Sequence, residues 1–294
     1  MALKEDGTLW AWGYNLHGQL GLGNTDNTDT PTQVGAATDW LDISAGSLHT
    51  IALKEDGTLW AWGYNYYGQL GLNDSGSGTE RTIPTQVGTA TNWYAISAGS
   101  SHTIALKEDG TLWAWGFNHY GQLGLDDSGS GTDRATPTQV GTDTDWLAIS
   151  AGDNHTIALK EDGTLWAWGH NSSGQLGLDD TTKRVTPTQV GTDTNWLAIS
   201  GGSTHTIALK EDGTLWAWGG NYYGQLGLGD SDTGTDRTIP TQVGTATNWY
   251  AISAGDDHTI ALKEYGTLWA WGNNSNGQLG LGNTDNTDTP TLVN

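Results

Sequence analysis

The stretch Gly110-Thr-Leu-Trp-Ala-Trp-Gly116 decides the fold, because it occurs six times along the chain. The other copies begin at Gly7, Gly57, Gly163, Gly213 and Gly266, so the period is 50 or 53 residues. A fixed period of this size indicates an array of one supersecondary unit that stacks on its neighbours. The sequence therefore predicts six repeat units, near 1–46, 47–99, 100–152, 153–202, 203–255 and 256–294.

The repeat between 93 and 140 reads as four short strands. Trp93–Ala98 and His102–Lys107 alternate between apolar and polar residues, which predicts strands A and B joined by a tight turn. Asp109-Gly110 is a strong hairpin signal, and Thr111–Trp115 follows it as strand C with both tryptophans on one face. Pro137–Val140 reads as strand D, and its proline predicts an edge strand that begins at Pro137.

Repeated units of four antiparallel strands with apolar residues on both faces predict an all-β fold, a β-propeller built of such blades. The paired tryptophans are expected to fill the space between blades. The chain begins within a strand B, at Met1–Lys4, and ends within a strand D, at Pro290–Val293, so the blade at the seam lacks strand A. The repeat count favours a six-bladed ring. A seven-bladed propeller, an open arc completed by a second chain and a fragment of a longer array stay open.

The repeated motif also resembles that of a known family. The pattern Ala98-Gly-x-x-His102-Thr, then Asp109-Gly110, then Trp115-Gly116-x-Asn118-x-x-Gly121-Gln122-Leu123-Gly124 is similar to the repeat of the family named for regulator of chromosome condensation, RCC1. The resemblance covers the whole chain and implies a single domain over 1–294. It implies a β-propeller, usually of seven blades, whose members share a ring that offers a binding face.

The chain is strongly acidic, with 11 basic and 33 acidic residues and a formal net charge of −22. This balance argues against binding nucleic acid or an anionic membrane, because phosphate contacts need clustered lysine and arginine. The longest apolar runs are a few residues, which predicts no membrane span, and no signal peptide is visible. The composition predicts a soluble chain, assigns no compartment and leaves secretion open.

One histidine recurs in five repeats, at His49, His102, His155, His205 and His258. A catalytic base is needed once, so these residues are predicted to be hydrogen-bonded structural histidines. No nucleophile, metalloprotease or phosphate-loop motif stands out from the repeat. We expect no enzymatic activity and no cofactor. A weak Ca²⁺ candidate is the loop that carries Asp230, Asp232 and Asp236, with oxygen ligands at alternate positions.

The repeats differ mainly along one predicted edge, formed by the A–B turns and the C–D loops. The C–D loops of repeats two, three and five gain three residues, and these repeats are the richest in aromatic residues. Variable loops on a rigid scaffold are where binding residues collect. The candidate ligand-binding residues are Tyr14, His17, Tyr64, Tyr66, Tyr67, Phe117, His119, Tyr120, His170, Tyr222 and Tyr223.

Three hypotheses follow for this edge. The first is recognition of a protein partner through aromatic anchors, and the second is a lectin with several similar sugar sites. The third is a designed or recently amplified array without a ligand. The resemblance implies that light sensing in the family needs tryptophan and arginine in the A–B turn, where this chain has Ser, Leu, Asp, Asn and Thr. Near-identical repeats also leave a homo-oligomer through the open seam as an expectation.

Overall fold

A computed structural model describes residues 1–293, which form six antiparallel sheets. The chain makes two compact units, with the division between Ile149 and Ser150. The first unit holds three whole sheets, which we call blades 1 to 3. Blades 5 and 6 lie in the second unit, and the first strand of blade 4 spans the division.

The strands of blades 1 to 3 recur at matching places in each repeat. Blade 1 contains β1 (Ala2–Leu3), β2 (Leu9–Gly13) and β3 (Thr28–Gln33). Blade 2 contains β4 (Trp40–Ala45), β5 (His49–Lys54), β6 (Leu59–Gly63) and β7 (Arg81–Gln86). Blade 3 contains β8 (Trp93–Ala98), β9 (His102–Lys107), β10 (Leu112–Gly116) and β11 (Arg134–Gln139).

The later blades repeat the same pattern. Blade 4 contains β12 (Trp146–Ala151), β13 (His155–Lys160), β14 (Leu165–Gly169) and β15 (Arg184–Gln189). Blade 5 contains β16 (Trp196–Gly201), β17 (His205–Lys210), β18 (Leu215–Gly219) and β19 (Arg237–Gln242). Blade 6 contains β20 (Trp249–Ala254), β21 (His258–Lys263), a 3₁₀ turn (Glu264–Gly266), β22 (Leu268–Gly272) and β23 (Thr287–Leu292).

The predicted all-β propeller class is confirmed, with six blades whose strands follow the order A, B, C, D. Among residues 1–293, blade 1 has three strands, which correspond to strands B, C and D, as the sequence predicts. Strands A and B of blade 3 begin and end at the predicted residues. In the described part of the chain, no helix is both long and apolar enough to cross a membrane.

The predicted start of strand D is wrong. In blade 3 this strand begins at Arg134, and Pro137 lies inside it rather than at its start. Gly116 pairs with Arg134 and Ala114 with Thr138, so the register shifts by a β-bulge that contains Pro137. A bulge on an edge strand tolerates proline, because no ladder hydrogen bond is needed from that position.

The second tryptophan of each Trp-Ala-Trp pair lies between neighbouring blades. Trp62 and Trp218 are fully buried, and each indole Nε1 donates to a glutamine carbonyl of the preceding blade, at 3.0 Å to Gln19 and 2.9 Å to Gln175. Around Trp62 the apolar face of blade 1 packs against blade 2 in one continuous cluster. The expectation that tryptophans fill the space between blades therefore holds for these residues.

The repeated histidine extends the same contact between blades. His205 Nε2 lies 3.1 Å from Thr259 Oγ1, and that hydroxyl donates to the Gln225 carbonyl at 2.8 Å. The threonine proton is used on the carbonyl, so the histidine Nε2 must carry the proton that it donates to the threonine. Burial lowers the pKa of His205 to about 3, which keeps the ring neutral. The histidine is thus hydrogen-bonded and structural, as predicted.

The only described turn between strands B and C that departs from the common form is in blade 6. In blade 2, Asp56 accepts from the Thr58 backbone at 3.0 Å and from the Thr58 hydroxyl at 2.6 Å. In blade 6 the matching residue is Tyr265, which is 97% exposed and has a φ of 72°. A left-handed conformation is costly for an aromatic residue, so this turn is the least stable version of the six.

We expect stability to fall as the pH drops below about 6.5. The pKa is about 4 for buried His49 and about 3 for His155 and His205, against 6.5 for an ordinary histidine. Because the unfolded chain binds these protons first, stability is full above pH 6.5 and declines by up to ~1.4 kcal/mol per pH unit for each histidine. Urea unfolding between pH 7.5 and 5.5 measures this slope. A flat profile would contradict the neutral buried rings.

Replacing Tyr265 by Asp should stabilise the protein. The aspartate restores the two hydrogen bonds of the other turns and removes an aromatic side chain from the left-handed region. We expect the midpoint of thermal unfolding to rise by roughly 2–4 °C. The reverse change, Asp212→Tyr in blade 5, is the matched control and should lower the midpoint by a similar amount. A rise in both variants would show that the turn does not limit stability.

Candidate functional site

A buried asparagine shapes every C–D loop. In blade 2, Asn65 Oδ1 accepts from the Leu70 amide at 3.0 Å, and its Nδ2 donates to the Asp74 carbonyl at 3.0 Å. Gln69 Oε1 accepts from the Tyr67 amide at 3.0 Å. These bonds come from constant residues, and the variable side chains around Asn65 make none of them. We call these variable sites loop positions 1, 3 and 4, which are Tyr64, Tyr66 and Tyr67 in blade 2.

The A–B turn lies beside loop position 1 in each of blades 2 to 6. The Tyr64 amide donates to the Leu48 carbonyl at 2.8 Å, and the Gly220 amide donates to the Thr204 carbonyl at the same distance. The two segments that vary most between repeats are therefore neighbours in the structure. This arrangement follows from the antiparallel order of the strands, as the sequence predicts.

In two of the three long loops, those of blades 2 and 5, a backbone amide of the loop supports loop position 3. The Gly76 amide donates to the Tyr66 carbonyl at 2.9 Å, and the Asp232 amide donates to the Tyr222 carbonyl at 3.0 Å. An ion pair between an arginine and an aspartate closes each long loop, as in Arg81 with Asp74. In blades 2 and 5 the long loop thus holds the backbone that carries the ring at loop position 3.

Seven candidate side chains of the first unit form one chain of ring contacts, which we call the aromatic ladder. Position 4 of one blade contacts position 1 of the next: His17 and Tyr64 have ring centroids 4.8 Å apart. Tyr67 and Phe117 are 4.6 Å apart. Contacts within each loop of 5.1 to 6.5 Å connect the other rings. The ladder consists of His17, Tyr64, Tyr66, Tyr67, Phe117, His119 and Tyr120.

The ladder combines exposed and covered rings. Tyr66 is 47% exposed and stacks on Tyr64 at an interplanar angle of 9°. Burial, followed by the neighbouring Tyr67, Tyr66 and Glu80, raises the pKa of Tyr64, which keeps its phenol protonated. Such rings offer apolar area with a hydroxyl at the edge, which suits an interface. Tyr14 is 50% exposed, and no ring contact of it occurs among the described residues.

The second unit holds the remaining candidates. Tyr222 and Tyr223 have ring centroids 4.9 Å apart, and Tyr222 is 55% exposed. His170 differs from the expectation of an exposed contact, because its Nδ1 lies 3.0 Å from Gln175 Nε2. Burial lowers the pKa of His170. This histidine therefore stabilises its loop through a hydrogen bond in addition to lying at the variable edge.

Sequence reasoning missed a group of carboxylates in the A–B turns of the second unit. Burial and then the Asp256 charge raise the pKa of Asp153, while a Ser203 hydrogen bond opposes them. Burial, Asp256 and Asp153 raise the pKa of Asp257. The signal available in the sequence was the aspartate in these turns of repeats four and six, and only the structure brings the turns together.

The acidic loop proposed for Ca²⁺ has structural bonds of its own. Asp230 pairs with Arg237 and also accepts from Asn221 Nδ2 at 3.0 Å. Asp236 Oδ1 accepts from the Asn221 amide at 3.0 Å, and Asp232 Oδ1 accepts from the Thr233 amide at 2.7 Å. Within residues 1–293 no group of three or more histidine, cysteine or acidic residues is arranged to hold a metal ion. The Ca²⁺ site stays a prediction.

Comparison with known proteins places the whole chain, residues 1–294, within the model of the RCC1-like domain. The ultraviolet-B receptor UVR8 of Arabidopsis thaliana is 34% identical over all of this chain and 67% of the receptor. The human E3 ubiquitin-protein ligase HERC2 is 31% identical over 99% of this chain and 6% of the ligase. The human regulator of chromosome condensation is 30% identical over 59% of this chain and 41% of its own length.

Solved structures share the fold at lower identity. Human WBSCR16 has a TM-score of 0.86 at 23% identity, covering all of this chain and 78% of its own. Yeast RCC1 (Prp20), solved with Kap60 bound, has a TM-score of 0.69 at 22% identity, covering all of this chain and 85% of its own. Identities in this range show the fold alone.

The contact between Tyr67 and Phe117 should couple blades 2 and 3 energetically. Tyr67→Ser and Phe117→Asn introduce residues that repeats four and six carry at these loop positions. A double-mutant cycle on the free energy of unfolding should give a coupling of about 0.5–1.5 kcal/mol, because the rings touch at 4.6 Å. Tyr14→Ser combined with Phe117→Asn is the control pair and should be additive. Additivity in both cycles would contradict the ladder.

Proposed function

The chain belongs to the RCC1-like domain family, and we propose that it is a binding scaffold without catalytic activity that recognises a protein partner through its aromatic ladder. Relatives support the general role: one is named a receptor, one a ligase and one a regulator of chromosome condensation. Yeast RCC1 (Prp20) has been solved with Kap60 bound. Which partner this chain binds depends on the side chains of its own loops.

The observation that carries the proposal is the continuity of the ladder. Its rings lie on loops whose backbones are fixed by buried asparagine and glutamine side chains, so little order has to be gained on binding. A few clustered aromatic anchors supply most of the affinity in protein interfaces. A ladder across blades 1, 2 and 3 offers such a cluster, and its members are what differ between otherwise constant repeats.

A protein partner accounts for the ladder better than repeated sugar sites do. A multivalent lectin would be expected to keep one similar site in each repeat. Here the aromatic residues are concentrated: blade 4 has serine at loop positions 3 and 4, namely Ser172 and Ser173. The specific observation on the side of a lectin is the recurrence of one pair, since Tyr66–Tyr67 and Tyr222–Tyr223 meet edge to face at 5.1 and 4.9 Å.

The test uses loops that the chain itself already folds. A variant with Tyr64→His, Tyr66→Ser and Tyr67→Ser gives blade 2 the loop residues of blade 4. Peptides selected from a random display library on the wild-type protein are then measured for binding to both. We expect the variant to bind at least about 30-fold more weakly, which corresponds to the ~2 kcal/mol of a hot spot.

The control is Tyr94→Leu, because Tyr94 is 59% exposed on strand A, where blades 4 and 5 carry Leu147 and Leu197. It should leave binding within about twofold. Peptides that bind the loop variant and the wild type equally, or a selection that gives no saturable peptide, would overturn the proposal. A glycan array run in parallel separates the alternative, since saturable binding there with competition by free sugar would favour the lectin.

A further inference from the structure

The aromatic pattern has a gap in the second unit. Where blades 2 and 3 bring Tyr67 against Phe117, the matching residues of blades 4 and 5 are Ser173 and Gly220. A cavity of about 280 Å³ lies at this place and is lined by both of them. We call it the Gly220 cavity. It exists because two large side chains of the repeat pattern are missing.

Glycine at position 220 is not required by the backbone. Its φ is outside the left-handed region, and the matching residues of the other blades are Tyr14, Tyr64, Phe117, His170 and Asn273. A Cβ at this position would lie 2.5 Å from Thr204 Oγ1, the side chain opposite it. A larger residue at 220 therefore needs Thr204 to move or to be replaced, as in blade 3, where Phe117 lies beside Ser101. With glycine at this position, residue 220 places no side chain in the cavity.

The walls of the cavity combine an aromatic ring with carboxylates. Tyr222 is the exposed ring, and Asp232, Asp236 and Asp257 supply the acidic groups, with no lysine or arginine among the lining residues. The amide of Asn221 uses one oxygen of Asp236, which leaves the second oxygen for a ligand.

The charge around Asp257 is a second feature of the cavity. Asp257 is partly buried, and its neighbours Asp256 and Asp153 are also carboxylates. Bringing like charges together in a partly dehydrated place is unfavourable, and a cation placed between them would relieve the repulsion. The chain as a whole carries a net charge of −22, which would attract a basic partner before contact.

We propose that the Gly220 cavity binds the guanidinium group of an arginine side chain presented by the protein partner. The planar cation stacks on the Tyr222 ring, and its N–H groups donate to the carboxylates of Asp236 and Asp257. The cavity lies just below the range of roughly 300–1,000 Å³ that is usual for small-molecule sites, which suits one long side chain. The inference rests on the proposed function, because it specifies the chemistry of the partner.

Arginine fits these walls better than lysine or a metal ion. A guanidinium is flat and presents several donors in a fixed plane, so it can meet a ring and two carboxylates together, whereas an ammonium is a compact point charge. Ca²⁺ takes six to eight oxygen ligands, and Asp230, a further carboxylate of the loop, is paired with Arg237. The site is thus built for a planar cation rather than for a cage of oxygens.

The test measures binding of Nα-acetyl-arginine amide by ligand-observed NMR, with Nα-acetyl-citrulline amide as the neutral probe of the same shape. Two variants address the walls. Asp236→Asn with Asp257→Asn removes charge and copies Asn27, Asn286 and Asn154 at the matched positions. Gly220→Phe with Thr204→Ser fills the cavity and copies Phe117 and Ser101 of blade 3.

We expect saturable binding of the arginine amide and none of the citrulline amide. Binding should weaken at least about tenfold in the charge variant and disappear in the filled variant, because each loses a wall of the site. The control for net charge is Glu55→Gln with Glu108→Gln, two exposed residues of the B–C turns, which should bind as the wild type does. Thermal unfolding of each variant confirms that it is folded.

Equal binding of the two probes, retained binding in the filled variant, or an equal loss in the charge control would overturn the inference. Displacement of the arginine amide by CaCl₂ at a concentration equal to that of the amide, reversed by EDTA, would assign the site to a metal ion instead. The two proposals can fail separately. Peptides that lose affinity in the ladder variant while the arginine amide fails to bind would overturn only the cavity, and the opposite result would overturn only the ladder.

Discussion

One glutamine carbonyl oxygen in the C–D loops of blades 1, 2, 4 and 5 connects the stability of the array to its recognition surface. The Gln69 carbonyl accepts from the Thr103 hydroxyl and from the Trp115 indole of the next blade, both at 2.9 Å. The same residue directs its side-chain oxygen at the Tyr67 amide, which sits at loop position 4. A single glutamine thus holds the next blade with its backbone and displays a ring with its side chain. Gln225 repeats the backbone part of this arrangement, with bonds of 2.8 and 3.0 Å to blade 6.

This arrangement explains why so many positions are constant. The threonine that donates to the carbonyl also accepts a hydrogen bond from the histidine. The histidine ring in turn leaves no room for a side chain at the glycine of the A–B turn. A Cβ at Gly202 would lie 2.3 Å from a ring carbon of His205, which accounts for glycine in the A–B turn. The repeated glycine, histidine, threonine, glutamine and tryptophan contact one another in turn. Each of them therefore restricts which residue can stand at the next of these positions. The side chains at loop positions 1, 3 and 4 are outside this set, so they are free to differ.

The sequence predicts those parts of the structure that depend on local periodicity and on repetition. Strands A and B alternate cleanly, and their ends are found where the pattern places them. The start of strand D is predicted wrongly because a bulge around Pro137 changes its register. A bulge interrupts the alternation of side chains, so the sequence pattern does not reveal it. The candidate residues were found from variation between repeats. The residues that they contact could not be predicted, because loop position 4 of one blade contacts loop position 1 of the next. The role of Gly220 in the cavity is understood only from that contact. The carboxylates of the A–B turns escaped notice for the same reason.

The clamp around each buried asparagine has a consequence for how such a protein can change over generations. Asn65, Gln69 and Asp74 hold their loop from within one repeat, so the loop and the residues that shape it are encoded in one contiguous stretch. Recombination between near-identical copies of the gene segment would move a display of side chains together with its own support. Surfaces could then be exchanged between blades in a single genetic event, and the strands of the receiving blade would be unchanged. The near-identity of the repeats thus allows the surface residues to change while the scaffold stays the same.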